Sequence, residues 1–364
     1  MKSKKYPTIT KARSESFGAI IFSEHPAFMA QVNEVYANKF KIAKSVITSE
    51  TSGIFSAPLD VHFAITTRCN MYCKGCYSTG KQDSQKDISL EKAKLVIDKL
   101  AELNVFSLAF GGGEPTLHSN IIEIAEYARE RQILPNMTTN GLTMTSDFAS
   151  KCSVFGNVHF SIHKLEDTKH IFKAIQTYKK MTKKKAGINL LLTPSIMTHL
   201  NDIVSQAKKY KVDKILFLRY KTTAKNKHVQ GLSMDSELEK LPAILKDLQL
   251  KNKSILFLSD CSMFELLAEN DLLTTTALYK YDNNGCLGAN GYIAVDVDAM
   301  YKPCSFWHES FGSVFDLSFD FWQNDEKLNQ FRQTYKKRAC LLCDYLELCK
   351  GGCRLRFTES SVNI

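Results

Sequence analysis

Along most of the chain, short apolar runs alternate with longer stretches whose apolar residues recur at helical spacing. Val61-His62-Phe63-Ala64-Ile65 reads as a strand. After it, Ala93, Val96, Ile97 and Leu100 fall at i, i+3, i+4 and i+7, one face of a helix that Ser89 is placed to cap. Val105 to Phe110 is the next strand and runs into Gly111-Gly112-Gly113; Ile121, Ile122, Ala125 and Ala128 mark the helix that follows. Pro135 to Thr138, Val158 to Ile162, Gly187 to Leu192 and Ile215 to Leu218 complete six strands, with helical stretches between them. Strands alternating with helices predict an α/β fold with a parallel sheet and right-handed crossovers. Six units are too few to close an eight-stranded barrel, so an open, partial (β/α)6 barrel is expected over residues 58–230. Its active-site loops should follow the carboxyl ends of the strands.

The flanks break this rhythm. In residues 1–57, Phe17 to Phe22 reads as a strand and Phe28 to Phe40 as a helix, too little for a core of its own. Beyond residue 230 the alternation fades into a helical bridge over 231–284, centred on Leu238 to Leu250, and then a cysteine-rich region over 285–364. Thr358 to Ile364 is polar and expected to fray.

Composition narrows the function classes. With 44% hydrophobic residues in 364, the chain can bury a real core. No apolar run approaches the length of a bilayer span, and the basic amino terminus lacks the apolar segment of a signal peptide, so a cytoplasmic location is expected. The net charge of +10 comes from scattered lysines with short clusters such as Lys183-Lys184-Lys185. No aromatics interleave with arginines, which favours a solvated surface over a nucleic-acid groove. No nucleic-acid or membrane partner is therefore expected.

The eleven cysteines change the picture. In a reducing compartment, clustered thiols are metal ligands rather than disulfides. Cys69, Cys73 and Cys76 form a C-x3-C-x2-C triplet on one loop after the first barrel strand. Three thiolates can hold three irons of a [4Fe-4S] cubane and leave the fourth iron open, as catalysis at the metal needs. Structural zinc, the alternative, wants four closed ligands. Near the other end, Cys340, Cys343, Cys349 and Cys353 are spaced C-x2-C-x5-C-x3-C, with Cys286 and Cys304 upstream on a hairpin-like stretch; a zinc ribbon is the alternative for the last four. Cys152 and Cys261 stand alone and read as buried structural thiols, with Cys261 the candidate for an extra ligand.

The triplet after the first strand, followed by Gly111-Gly112-Gly113-Glu114-Pro115 after the second, resembles the radical S-adenosylmethionine (radical SAM) enzymes. The resemblance implies a catalytic [4Fe-4S] cluster on Cys69, Cys73 and Cys76 whose open iron chelates S-adenosylmethionine, reductive cleavage to a 5'-deoxyadenosyl radical, and hydrogen abstraction from substrate. It implies cofactor contacts from Gly112, Gly113, Glu114 and Pro115, from Thr139 and Asn140 after the third strand, from Ser161 on the fourth, and from Arg219 after the sixth. Two positions depart from the family pattern: Gly75 stands where an aromatic residue or histidine usually precedes the third cysteine, and His163 where an aspartate often follows the serine. The carboxyl-terminal spacing resembles the SPASM extension of these enzymes, so that the likeness covers about residues 58–356. On that likeness Cys286, Cys304 and Cys353 would serve a first auxiliary cluster and Cys340, Cys343 and Cys349 a second. The cysteine that normally follows the last one is missing, leaving one or two auxiliary [4Fe-4S] clusters as the expectation.

Enzymes of that type mostly modify peptides by crosslinking, thioether formation or epimerisation, and a ribosomally made peptide with a leader segment is the implied substrate. Ser14 to Phe22 resembles the opening hairpin of peptide-recognition domains, and an exposed strand edge there can bind a leader by strand addition. The implied reductant is a flavodoxin or ferredoxin. Maturation of a small cofactor precursor or of a sulfatase is the alternative. Sulfatase maturases carry an aspartate where this chain has Ser305, which speaks against that activity. A non-catalytic iron–sulfur electron carrier is the third reading; the Glu114 and Thr139-Asn140-Gly141 segments argue against it. No catalytic acid or base is identified by these motifs.

Overall fold

The computed structural model describes residues 9–24, 27–42, 54–78, 85–223, 226, 229, 231–232, 235–269, 285–334 and 338–357. The polar tail 358–364 lies outside them.

The amino-terminal piece is a three-stranded antiparallel sheet, β1 (Lys11–Glu15), β2 (Gly18–Glu24) and β3 (Ala27–Asn33), in that spatial order, with a short helix α1 (Glu34–Lys39). The helix expected over Phe28 to Phe40 is therefore corrected: its first half is strand. The buried apolar run Ala19 to Phe22 of β2 offers a ladder to residues 28–33, and that pairing overrides their local preference. Asn33 ends the strand and caps α1, accepting from the Tyr36 N–H at 3.1 Å.

The barrel strands are β4 (Asp60–Thr66), β5 (Ser107–Gly112), β6 (Leu134–Thr139), β7 (Val158–Ile162), β8 (Ala186–Leu192) and β9 (Lys214–Arg219). All six lie parallel and adjacent in chain order, as the alternation predicts. The crossovers run through α2 (Leu90–Glu102), α3 (Ile121–Glu130), α4 (Ser146–Lys151) and α5 (Asp167–Thr182), then α6 (Pro194–Thr198) and α7 (Leu200–Lys209). Val61, Phe63 and Ile65 of β4 are fully buried in the same core as Ala93, Val96, Ile97 and Leu100 of α2, the helix face read from spacing. Ser89 caps that helix, accepting from the Lys92 N–H at 3.1 Å.

Four further strands join this sheet from outside the predicted six. After α8 (Asp235–Leu238) and α9 (Leu241–Lys251), β10 (Leu256–Ser259) adds in parallel to β9. After α10 (Phe264–Glu269), the hairpin between Cys286 and Cys304 supplies β11 (Tyr292–Val295) and β12 (Met300–Lys302), and β11 adds in parallel to β4. With β13 (Gly312–Ser313) the sheet has ten strands. The cysteine-rich region is thus built onto the barrel edge.

The amino-terminal sheet is also fastened to the barrel. Ile20 and Phe22 share a small core with Phe55, Leu59 and Phe106, just before β4 and β5. Beside it the buried Arg13 guanidinium donates to Ala57 O at 2.8 Å and Pro58 O at 3.0 Å and pairs with Glu15 at 2.8 Å. Glu15 in turn accepts from the Ser56 N–H at 2.8 Å.

Candidate functional site

Because side chains alternate along a strand, the residues between the helix-facing ones point into the barrel. In this chain several of them are polar or small: His62 and Ala64 on β4, His159 and Ser161 on β7, Asn189 on β8. His159 Nδ1 meets Asn189 Oδ1 at 2.7 Å, and Ser161 stands opposite Asn189 in register. Burial pushes His62 and His159 down to about 4, so both rings are neutral near pH 7. The interior is a hydrogen-bonding chamber of low formal charge, suited to a polar ligand.

At the carboxyl ends of the strands, the glycine segment and the cysteine loop are tied together. The Gly113 N–H donates to Thr66 O at 2.8 Å and the Glu114 N–H to Arg68 O at 2.7 Å, one residue before Cys69. A Cβ on Gly113 would lie 2.0 Å from Arg68 O, so only glycine allows this approach. Glu114 itself is 2% exposed and collects four donors: Thr116 N–H and hydroxyl, Thr139 hydroxyl at 2.7 Å and Asn140 N–H at 2.8 Å. Burial raises its carboxyl above the usual range while these donors pull it back. Asn140 then reaches across the chamber mouth, its side-chain N–H donating to Asn70 Oδ1 at 2.7 Å. The bare glycine backbone and Glu114 thus order the cysteine loop and the Thr139-Asn140 turn against each other. Pro115 opens a single 3-10 turn that Glu114 caps.

Arg219 is held at the rim, donating to Ser262 O at 3.0 Å and to Glu265 at 2.7 Å. Gly75 adopts φ +75°, and a Cβ there would meet the Tyr220 ring at 2.7 Å. The space next to the third cysteine is filled by this aromatic from the far side of the barrel, anchored through Tyr220 Oη to Asn226 O, while Asn226 donates to Gly75 O at 3.0 Å.

The thiols of Cys69, Cys73 and Cys76 are not joined in disulfides and lie close enough to repel one another's ionisation: burial first, then Cys76 and Cys69, push Cys73 up to about 12. Cys69 is raised by burial, with Glu114 and Cys76 adding to it. Three converging thiols fit a group that brings its own positive charge. The second set gains one further thiol. Cys261, read from sequence as a structural thiol or an extra ligand, lies beside Cys286. Their proximity lets only one of the pair ionise: Cys286, with Arg354 nearby, goes down and Cys261 up. Burial and Cys286 then raise Cys304 and Cys353. Four thiols therefore share one buried site, the donor number of a closed cubane. Cys340, Cys343 and Cys349 lie on α13 (Arg338–Leu341, after α11, Phe319–Asn324, and α12, Glu326–Gln333), the following turn and α14 (Leu346–Cys349); Cys343 is exposed and Cys349 buried. Cys152 is wholly buried in the barrel core. Among the described residues no three His, Cys, Asp or Glu side chains close around a point that a single metal ion would fill.

A cavity of about 80 Å³ lies between the chamber and the cysteine-rich region, lined by His62, Gly112, Tyr77, Thr223, Ser305 and Phe306 among others. Its back wall is a chain of neutral groups: His62 Nδ1 to Ser305 Oγ at 2.7 Å, and Ser305 Oγ to the Tyr292 hydroxyl. Sequence motifs missed His62, His159 and Asn189, although the polar residues alternating within otherwise apolar strands were the available signal. They also missed Tyr220, for which no local pattern exists.

Residues 63–202 match the Radical SAM superfamily. The chain is similar to PqqA peptide cyclase of Bradyrhizobium diazoefficiens, 24% identical across 86% of this chain and 85% of that protein. It is also similar to an AdoMet-dependent heme synthase of Methanosarcina barkeri, 23% identical across 83% and 92%. In fold it superposes on Streptococcus suis SuiB bound to precursor peptide SuiA with a TM-score of 0.75 over 96% of each chain, at 16% identity. That superposition spans the amino-terminal sheet, barrel and cysteine-rich region together. The superfamily's reaction rests on a [4Fe-4S] cluster and S-adenosylmethionine, and no described helix is long and apolar enough to cross a membrane. With its parallel partial barrel and a cysteine triplet at the strand ends, the chain is an enzyme that carries a radical SAM domain over residues 63–202.

Proposed function

We propose that this enzyme modifies a ribosomally made peptide by hydrogen abstraction, forming a crosslink or thioether or inverting a stereocentre. The observation that carries this reading is the chain-long likeness to SuiB, a protein solved with its precursor peptide, joined to the similarity with a peptide cyclase. When bound, the cluster and S-adenosylmethionine supply one-electron cleavage of the sulfonium and removal of a substrate hydrogen atom.

The chain's own residues divide the remaining work. Cys69, Cys73 and Cys76 hold the catalytic cluster and leave one iron for the cofactor. Gly112, Gly113, Pro115, Thr139, Asn140 and Ser161 line the cofactor side of the chamber, and Glu114 fixes two of its loops. Arg219 closes the rim through Glu265. Cys261, Cys286, Cys304 and Cys353 hold one auxiliary cluster, and Cys340, Cys343 and Cys349 contribute to a second. The working divisions are residues 1–57, 58–230, 231–284 and 285–364. On the amino-terminal sheet β1 faces the barrel through Lys11 and Arg13, while β3 has no partner on its outer edge among the described residues. That edge suits a leader peptide added as a fourth strand. The net charge of +10 suits an acidic leader, and a flavodoxin or ferredoxin suits the electron supply in the cytoplasm. The heme synthase relative favours the second reading, modification of a small cofactor precursor.

The test is anaerobic reconstitution with iron and sulfide, then incubation with S-adenosylmethionine, dithionite and short peptides encoded beside the gene. 5'-Deoxyadenosine should form, and Cys76→Ala should abolish it. A peptide mass change dependent on S-adenosylmethionine supports peptide modification. Unchanged peptides alongside turnover of an iron porphyrin precursor would replace it with the second reading.

A further inference from the structure

A buried cation stands beside the four-thiol site. Lys221, two residues beyond the end of β9, has a side chain only 8% exposed and forms an ion pair with Asp260, itself 10% exposed. Asp260 directly precedes Cys261. The Lys221 Nζ also lies 4.5 Å from the centroid of the Phe306 ring, and Phe306 is the second residue after Cys304. The Phe306 ring in turn packs at a tilt against Tyr77, the residue after Cys76, with ring centroids 4.1 Å apart. One ammonium thus touches residues flanking two of the four thiols. The other charges nearby are Arg354, which favours the Cys286 thiolate, and the Arg219–Glu265 pair.

Burying an ion pair is a poor way to stabilise a fold, because loss of hydration offsets most of the attraction. Lys221 is better accounted for by further negative charge at its side, and ligating thiolates provide it. We propose that Lys221 tunes the auxiliary iron–sulfur centre on Cys261, Cys286, Cys304 and Cys353, raising its reduction potential by favouring the more negative state. This rests on the proposal that these four cysteines carry a cluster. The step is uptake of one electron from a reductant in solution. No bond forms or breaks, and Lys221 keeps its proton throughout, so its action is purely Coulombic.

The test uses the full-length protein with Cys69, Cys73 and Cys76 replaced by alanine, so that only auxiliary centres remain. Iron content and a dithionite titration followed by electron paramagnetic resonance are compared across variants. Lys221→Met should keep its iron but show the lowest midpoint potential, because Asp260 is then unopposed. Lys221→Met with Asp260→Asn, a neutral pair of similar shape, should fall between that variant and the parent; Lys221→Arg should stay near the parent. Unmoved potentials with intact iron would overturn the role of Lys221 and leave the cluster standing. Loss of iron from both Lys221→Met proteins would make Lys221 structural and overturn it likewise. A parent triple variant that binds no iron would remove the auxiliary cluster and this proposal together.

Discussion

Glu114 holds together the loops that frame the candidate cofactor site. As a single acid after a glycine run it reads as an acceptor for the cofactor ammonium; its Oε1 accepts from Thr116 and Thr139, and its Oε2 accepts from the Asn140 N–H alone among the described residues. Its carboxylate holds two loops at the chamber mouth in one arrangement. Glu114→Ala leaves those donors buried without an acceptor, at a cost of about 3 kcal/mol. The expected result is a lower midpoint in urea unfolding together with binding of S-adenosylmethionine weakened about tenfold or more. Unchanged stability with weakened binding would instead mean that the carboxylate meets the cofactor directly.

At the scale of elements, the structure is joined by contacts that no single element announces. β11 is read from sequence only as one arm of a hairpin, but its pairing with β4 lays the cysteine-rich region against the barrel. β1 is docked by Arg13 and Glu15, with side chains 4% and 1% exposed. Removing one partner of such a pair leaves a buried charge, so Arg13→Met should destabilise the protein by about 3–5 kcal/mol. Arg13→Met combined with Glu15→Gln should recover a good part of this in the same unfolding assay. If the double variant were no better than the single one, the backbone carbonyls Ala57 O and Pro58 O, rather than Glu15, would be what holds Arg13. Because the amino-terminal sheet leans on this pair, peptide binding should weaken in parallel with stability.

Across the whole molecule the cysteines fall into sets that differ in depth and partners. Cys152 belongs to the barrel core, whereas Cys261 joins Cys286, Cys304 and Cys353 across elements separated in the chain. After anaerobic reconstitution, Cys261→Ser should lose iron, up to about four atoms for one cubane, while Cys152→Ser should lose none. Equal iron in the two variants would return Cys261 to the role of an ordinary buried thiol.

The strand–helix alternation, the six parallel strands and the C-x3-C-x2-C loop at a strand end were all legible in the sequence, because each depends on periodicity or spacing within one segment. So was the glycine–glutamate segment as part of the site. The helix expected over Phe28 to Phe40 failed because β2 supplied a ladder that local preference cannot foresee. Tyr220 beside Gly75, Cys261 beside Cys286 and Lys221 beside Phe306 bring together residues far apart in the chain. Only sheet order and chain crossover place such residues in contact, and their burial then sets their charge. Motif spacing therefore carried the chemistry of the first cysteine loop, while tertiary packing alone decided which thiols, rings and charges surround the second.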